Sequence, residues 1–194
     1  LFETAHLRGA QAVAVGHIAD DQAETVLMHF LRGAGLAGLK GMPWRTVLPA
    51  FDADIPLVRP LLGLWRADTE AWCRDHGLQP IYDPTNTDTA YFRNRLRHEL
   101  IPLLEGYNPR FKEALVRSAE ALQGDFDLLA ELLESAWGRS VREQGEGYLA
   151  FDRAALEAMF LPLRRGLFRR AAYALRPGLR DLDFAALGRA ATLQ

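Results

Sequence analysis

One stretch, Gly16 to Met42 (GHIADDQAETVLMHFLRGAGLAGLKGM), constrains the fold more than any other. An apolar run, Val13-Ala14-Val15, empties into Gly16-His17, and the acid pair Asp20-Asp21 then opens an amphipathic helix. Glycines at 33, 35, 38 and 41 follow. A strand that gives way to a polar turn at a helix N-terminus is where α/β folds hold ligands that carry phosphate. This turn is acidic, so a phosphate there calls for a bridging cation such as Mg²⁺.

The helix can be read by its faces. At about 100° per residue, Asp21, Thr25, Met28 and Arg32 form one stripe with Glu24 close beside it. Ala23, Val26, Leu27, Phe30 and Leu31 take the opposite side and are expected to pack on the sheet. Asp21 and Glu24, at i and i+3, are then neighbours on the wet face. Carboxylates this close repel unless a cation or proton lies between them. The simpler reading is a solvated acidic first turn favoured by the helix dipole. The glycines that follow cost backbone entropy and therefore need a use.

Along the rest of the chain, Leu1–Gly9 reads as the end of a helix closed by Gly9, and 11–16 as a buried parallel strand. Asp20 or a neighbour caps the helix that runs to about Arg32. Residues 43–56 read as an irregular excursion or hairpin, 65–76 as a helix stopped by Gly77, and 81–82 as a short strand before turn residues. Cys73, within the helix at 65–76, reads as packing. From Arg110 a long helix carries Phe111, Leu115, Ala119 and Leu122 at helical spacing and continues through Trp137. Gly145-Glu146-Gly147 is a turn, Asp152 caps a further helix, and Leu161-Pro162 starts the next.

The chain has 194 residues, a formal net charge of -2 and one cysteine. That balance argues against a uniformly basic coat but leaves room for local basic faces. One cysteine excludes an intrachain disulfide and fits a reducing cytoplasm. No apolar run approaches the roughly 20 residues of a membrane span, and no signal peptide is visible. The lack of an initiator Met implies a start inside a longer protein. Arg93 and Arg97 share a helix face with Asn94 beside them, which suits bidentate phosphate contacts or a solvated basic face. Between Glu157 and Asp181 no acid occurs, while Arg164, Arg165, Arg169, Arg170, Arg176 and Arg180 accumulate. Arg165 and Arg169 share a face, as do Arg176 and Arg180 if the helix outlasts Pro177-Gly178. The patch is either a nucleic-acid footprint or a habit of using arginine as the surface cation, since lysine occurs only at 40 and 112.

Several of these motifs, in order, resemble one family. HIADDQAET at His17–Thr25 matches the HxxDDQxET signature of the tRNA(Ile)-lysidine synthetases, a branch of the PP-loop ATP pyrophosphatases. The segment 31–42 is similar to the family's LxRGxGxxGLxGM. RPLL at Arg59–Leu62, DPTN at Asp83–Asn86 (with Thr85 where serine is usual) and RNRLR at Arg93–Arg97 with Pro102 beyond continue the match. The resemblance covers residues 1 to about 105, and the helical remainder is similar only in kind to the family's tRNA-binding domain. The family's SGGxDS phosphate loop does not occur here. Its place is N-terminal to Leu1, so the resemblance implies a truncated chain that lacks half of its ATP site and is inactive alone.

The fold implied is α/β: the C-terminal part of a PP-loop parallel-sheet domain at 1–108, a linker helix at 109–140, and a mainly helical tRNA-binding domain at 141–194. The activity implied is ligation of free lysine to the wobble cytidine of an isoleucine tRNA, through an adenylated intermediate, with ATP and Mg²⁺. On this resemblance Asp21 and Glu24 hold the metal or accept a proton, and His17, Asp20, Asp21 and Gln22 line the nucleotide site. Arg32, Gly33, Gly35, Lys40, Arg93, Asn94, Arg97, Arg165 and Arg169 face tRNA. The glycine loop lets RNA backbone approach or lets a flap move. A homodimer is an open option, and no membrane is involved. The rivals are a thiolating PP-loop enzyme, disfavoured by the single mid-helix cysteine, and a tRNA-binding module without catalysis.

Overall fold

The structure, a computed structural model, describes residues 1–81, 83–179, 182 and 184–192. In chain order the elements are α1 (Phe2–Leu7), β1 (Val13–Ala14), α2 (Ala19–Leu31), α3 (Leu36–Leu39), β2 (Arg45–Leu48), β3 (Asp52–Val58) and α4 (Arg66–Asp75). A 3-10 turn (Pro84–Thr87) precedes α5 (Phe92–Arg95), a π-helical turn (Leu96–Leu100) and α6 (Ile101–Tyr107). Then come α7 (Phe111–Ser140), β4 (Val141–Gly145), β5 (Tyr148–Phe151), α8 (Arg153–Glu157), α9 (Leu161–Leu175) and α10 (Phe184–Ala191). The chain divides into two compact units between Phe126 and Asp127, within α7.

In the first unit the sheet order is β1-β3-β2. β1 runs parallel to β3, with Val13 opposite Leu57 and Ala14 opposite Val58, and β2 and β3 form an antiparallel hairpin. The described sheet is therefore mixed, with one parallel pair. α1 seals one side of it: Ala5, Val13, Ile55 and Leu57 form a buried cluster joined by Phe2, Val15 and Leu48. Gly9 and Gly77, both at positive φ, end α1 and α4 as their placement in the sequence implies. The strand expected at 81–82 is not formed at Ile81, which is almost fully exposed; Tyr82 lies outside the described residues.

The burial of α2 departs from the expected two-faced pattern. Residues 22–27 are all buried, Thr25 and Glu24 included. Leu27 packs against Leu96 and Ile101, with Met28, Phe92 and Phe111 at the edge of that cluster. Phe30, expected in the core, is 65% exposed. The helix is enclosed by the segment from α5 to the start of α7 rather than laid on a sheet by one face. A wheel of apolar positions assumes one-sided burial and cannot register a cover supplied about 70 residues later.

In the second unit, Ala136, Leu156 and Leu167 are the core, with Trp137, Phe151 and Phe168 packed around them. Asp152 caps α8 as expected, its carboxylate accepting from the Ala155 N–H at 3.0 Å. β4 pairs with β5 across the turn at Gly147, whose φ of 79° needs glycine.

Candidate active site

The Ile18 N–H donates to Asp21 Oδ2 at 2.9 Å, so Asp21, not Asp20, supplies the cap of α2. Asp20 serves elsewhere. Its Oδ2 accepts from the Arg66 N–H at 2.8 Å, at the start of α4, and its Oδ1 accepts from Lys112 Nζ at 2.9 Å, at the start of α7. Lys112 Nζ also lies 5.5 Å from the centre of the Trp65 ring. One carboxylate thus ties together three helix N-termini, and neither of its oxygens is left without a partner.

Burial alone would push the Asp20 carboxyl up. The Arg66 N–H, the Lys112 hydrogen bond and the charges of both cations outweigh that and hold it below its usual value of 3.8. A carboxyl depressed by folding contributes stability that is present above its unfolded value and disappears as pH falls through the folded one. Asp20→Asn is therefore expected to cost about 1–2 kcal/mol at neutral pH, a penalty that shrinks as pH falls below the unfolded value and through the folded one. Chemical denaturation of both forms at neutral and acid pH checks this, and a penalty independent of pH would reject the charge as its origin.

Glu24 is the centre of the site. It is 2% exposed, and two arginines from α5 and the π-helical turn reach it. Arg93 Nε donates to Oε2 at 2.6 Å; Arg97 Nε donates to Oε1 at 2.6 Å and its Nη2 to Oε2 at 3.1 Å. Arg93 Nη2 continues to Asp21 Oδ1 at 3.0 Å. The Glu24 carboxylate, with its charge and hydrogen bonding, leads the influences that raise Arg97 above its ordinary value, against the opposing effect of burial. Glu24 is thus not on a wet face. Its companions are arginines instead of solvent.

This arrangement does not fit the expected magnesium. Both Glu24 oxygens and Asp21 Oδ1 already accept from guanidinium groups, and two cations at that range oppose a divalent ion. Among the described residues no group of three or more His, Cys, Asp or Glu side chains is arranged to hold a metal. A nucleotide fits better. His17 follows β1, and its Nδ1 is buried with no hydrogen-bond partner among the described residues. A buried ring nitrogen without a partner is one that a bound polar group could satisfy.

Asp21, Arg66, Asn86, Thr87, Arg97 and His98 line a cavity of about 340 Å³. Asn94, expected at RNA, is buried and holds the backbone on either side of Asn86 and Thr87. Asn94 Nδ2 donates to Thr85 O at 2.8 Å and to Asp88 O at 2.9 Å. His98 Nε2 lies 2.9 Å from Asn86 O. The RNRLR and DPTN segments are thereby one joined piece.

Gln22, expected at the nucleotide, is instead a clamp on the glycine loop. Its Nε2 donates to Met42 O at 3.0 Å, and its Oε1 accepts from Met42 N at 2.8 Å. A Cβ on Gly41 would come within 2.7 Å of that amide, and Gly41 has a φ of 68°. Gly38 meets Ala34, while His29 Nδ1 lies 2.8 Å from Gly38 O. Gly38 and Gly41 thus allow close packing of a fastened loop, rather than the motion of a flap. Arg32, Gly33 and Gly35 sit at the other end of α2, about 16 Å along its axis from Asp21. In the second unit Arg165 lies 4.8 Å from the Phe184 ring and Arg169 is exposed. Arg170 pairs with Glu134, which takes it out of the free patch. Arg180 lies outside the described residues.

Residues 1–104 match the PP-loop domain. The chain belongs to the PP-loop family. Its PP-loop domain is thus the part that carries the cavity, Glu24 and both arginines. The chain is similar to curated proteins named tRNA(Ile)-lysidine synthase. The one from Dehalococcoides mccartyi (strain CBDB1) is 38% identical over 94% of this chain and 39% of its own length. Those from Geobacter sulfurreducens and Gloeobacter violaceus are 42% and 40% identical, over 91% and 82% of this chain and 36% and 47% of their own lengths. The chain therefore spans less than half the length of these relatives.

Arg66, His98 and Lys112 were not singled out by reading motifs, yet they build the site around this PP-loop helix. For Lys112 a signal existed. In a chain that uses arginine for nearly every cation, the two lysines are the exceptions, and Lys112 closes on Asp20. No helix among the described residues is long and apolar enough to cross a membrane.

Proposed function

We propose that this chain carries part of the catalytic centre of an ATP-dependent ligase that joins lysine to the wobble cytidine of an isoleucine tRNA. The observation that supports it most is the convergence of Asp21, Arg93 and Arg97, from motifs about 70 residues apart, beside one cavity in a PP-loop domain. The named relatives supply the substrate.

In this chemistry the carbonyl oxygen at the cytidine C2 is adenylated and pyrophosphate leaves. The lysine ε-amine then forms a bond to C2, and AMP departs with the oxygen. Two things must be managed: negative charge at the phosphate and a proton on the attacking amine. Arg93 and Arg97, aimed in advance by Glu24, neutralise the charge. Asp21 lines the cavity and accepts the proton. The oxygens of both acids accept hydrogen bonds, but Glu24 is 2% exposed and absent from the lining of this cavity, whereas Asp21 faces it; Glu24 does neither. His17 Nδ1 takes a hydrogen bond from the nucleotide or gives one to it. Glu24, with both oxygens taken by arginines, is not a residue that would hold a magnesium accompanying ATP. Arg165 and Arg169 offer a separate contact to tRNA backbone.

Lysine incorporation into tRNA tests the reading, assayed with the full-length protein. Asp21→Ala is expected to lower kcat by tenfold or more, because a proton acceptor is lost. An unchanged rate removes Asp21 from the chemistry, and failure of the unaltered protein to transfer lysine removes the proposal.

A further inference from the structure

We infer that a second cavity, behind the glycine loop, receives an unpaired base of the RNA substrate, with Trp44 as its stacking surface. The inference rests on the proposed action on tRNA. The cavity measures about 310 Å³ and is lined by Gln22, Lys40, Met42, Trp44, Val116 and Glu120 among others. Trp44 is 59% exposed. An indole left in water is unfavourable by itself, and single-stranded RNA is recognised mainly by stacking its bases on such rings.

The backbone around Trp44 is fastened from both sides. Gln22 holds both polar groups of the Met42 backbone. Arg59 Nη1 donates to Pro43 O at 2.8 Å, and the Arg59 N–H donates to Trp44 O at 2.9 Å. Arg45, the next residue, is already paired opposite Val58. An exposed aromatic on a backbone this restrained is a preorganised platform, which lowers the entropy lost when a ligand stacks on it.

The lining also suits a base better than a phosphate. Met42, Leu62 and Val116 give an apolar floor, while Lys40 and Glu120 bring one donor and one acceptor of opposite charge. A phosphate site would carry a single sign. A base carries carbonyl acceptors and amino donors at its edge, and these match Lys40 and Glu120. Gln22 follows Asp21 on α2, so this cavity and the reaction cavity flank the same helical turn. A nucleotide stacked on Trp44 would hold the single strand beside Asp21.

The test measures binding of an anticodon stem-loop to the unaltered protein, Trp44→Ala and Trp44→Phe. Trp44→Ala should weaken binding roughly tenfold or more without changing the salt slope, because no phosphate contact is lost. Trp44→Phe should keep most of the affinity. A stem-loop whose loop residues lack bases should bind both Trp44→Ala and the unaltered protein equally. ATP affinity should not change. Equal stem-loop affinity in Trp44→Ala overturns the inference and leaves the proposed ligase intact. So does a parallel loss of ATP affinity, which would assign the cavity to adenine. No stem-loop binding by the unaltered protein overturns both.

Discussion

Glu24→Ala is expected to lower the thermal midpoint of the first unit by about 10 °C. The carboxylate is buried and is the shared partner of Arg93 and Arg97. Removing one member of a buried ion pair costs about 3–5 kcal/mol, because the charges left behind keep their desolvation without their compensation. The arginine side chains are 38% and 25% exposed, so water recovers part of that cost and the lower figure, about 3 kcal/mol, is appropriate. At about 2–4 °C per kcal/mol for a chain of this size, the shift follows. Glu24→Gln should be nearly as damaging. The new amide N–H groups meet guanidinium N–H groups, and donors cannot satisfy donors. Glu24→Asp keeps the charge but shortens the reach, and should fall between. A midpoint within about 2 °C of the parent for Glu24→Gln would show that the arginines do not depend on this carboxylate.

The second large effect lies at Gly41. Gly41→Ala is expected to destabilise the first unit by about 3 kcal/mol, from two sources. A side chain at positive φ costs about 1–2 kcal/mol by itself. The new Cβ, within 2.7 Å of the Gln22 amide, also displaces it and severs both of its bonds to Met42. Gly33 provides the comparison. It too has positive φ, but a Cβ there meets nothing within 4 Å, so Gly33→Ala should show only the backbone penalty. In a Gln22→Ala background Gly41→Ala should also cost only that penalty, because the obstacle is gone. Denaturant unfolding of the two single variants and the double variant reads the coupling directly. Additive costs would show that Gly41 and Gln22 do not meet.

These two positions mark where the chain is legible and where it is not. Helix ends at Gly9 and Gly77, the cap at Asp152 and the long helix from residue 111 are local events, and their residues announce them. The family motifs also locate the right segments. What they do not reveal is which side chains meet. Glu24 lies 69 residues from Arg93, so no periodicity within α2 could assign it an arginine instead of water. Gln22 and Asn94 look like ligand residues because they are polar and sit inside motifs. Their amides are spent on the backbones of Met42, Thr85 and Asp88. β4, with the polar sequence VREQG, has no alternation to betray it, and forms because β5 lies opposite.

The fastening of residues 42–44 has a consequence for altering this protein. Gln22 and Arg59 grip the loop only through main-chain groups. They are indifferent to the side chains carried at Met42 and Trp44. The scaffold can therefore be kept while those two positions are diversified, with each variant inheriting the same loop trajectory. Variation at Gln22, Gly41 or Arg59 instead changes the trajectory itself. On the proposed stacking role of Trp44, residues 42 and 44 are where substrate preference would be redrawn without rebuilding the fold.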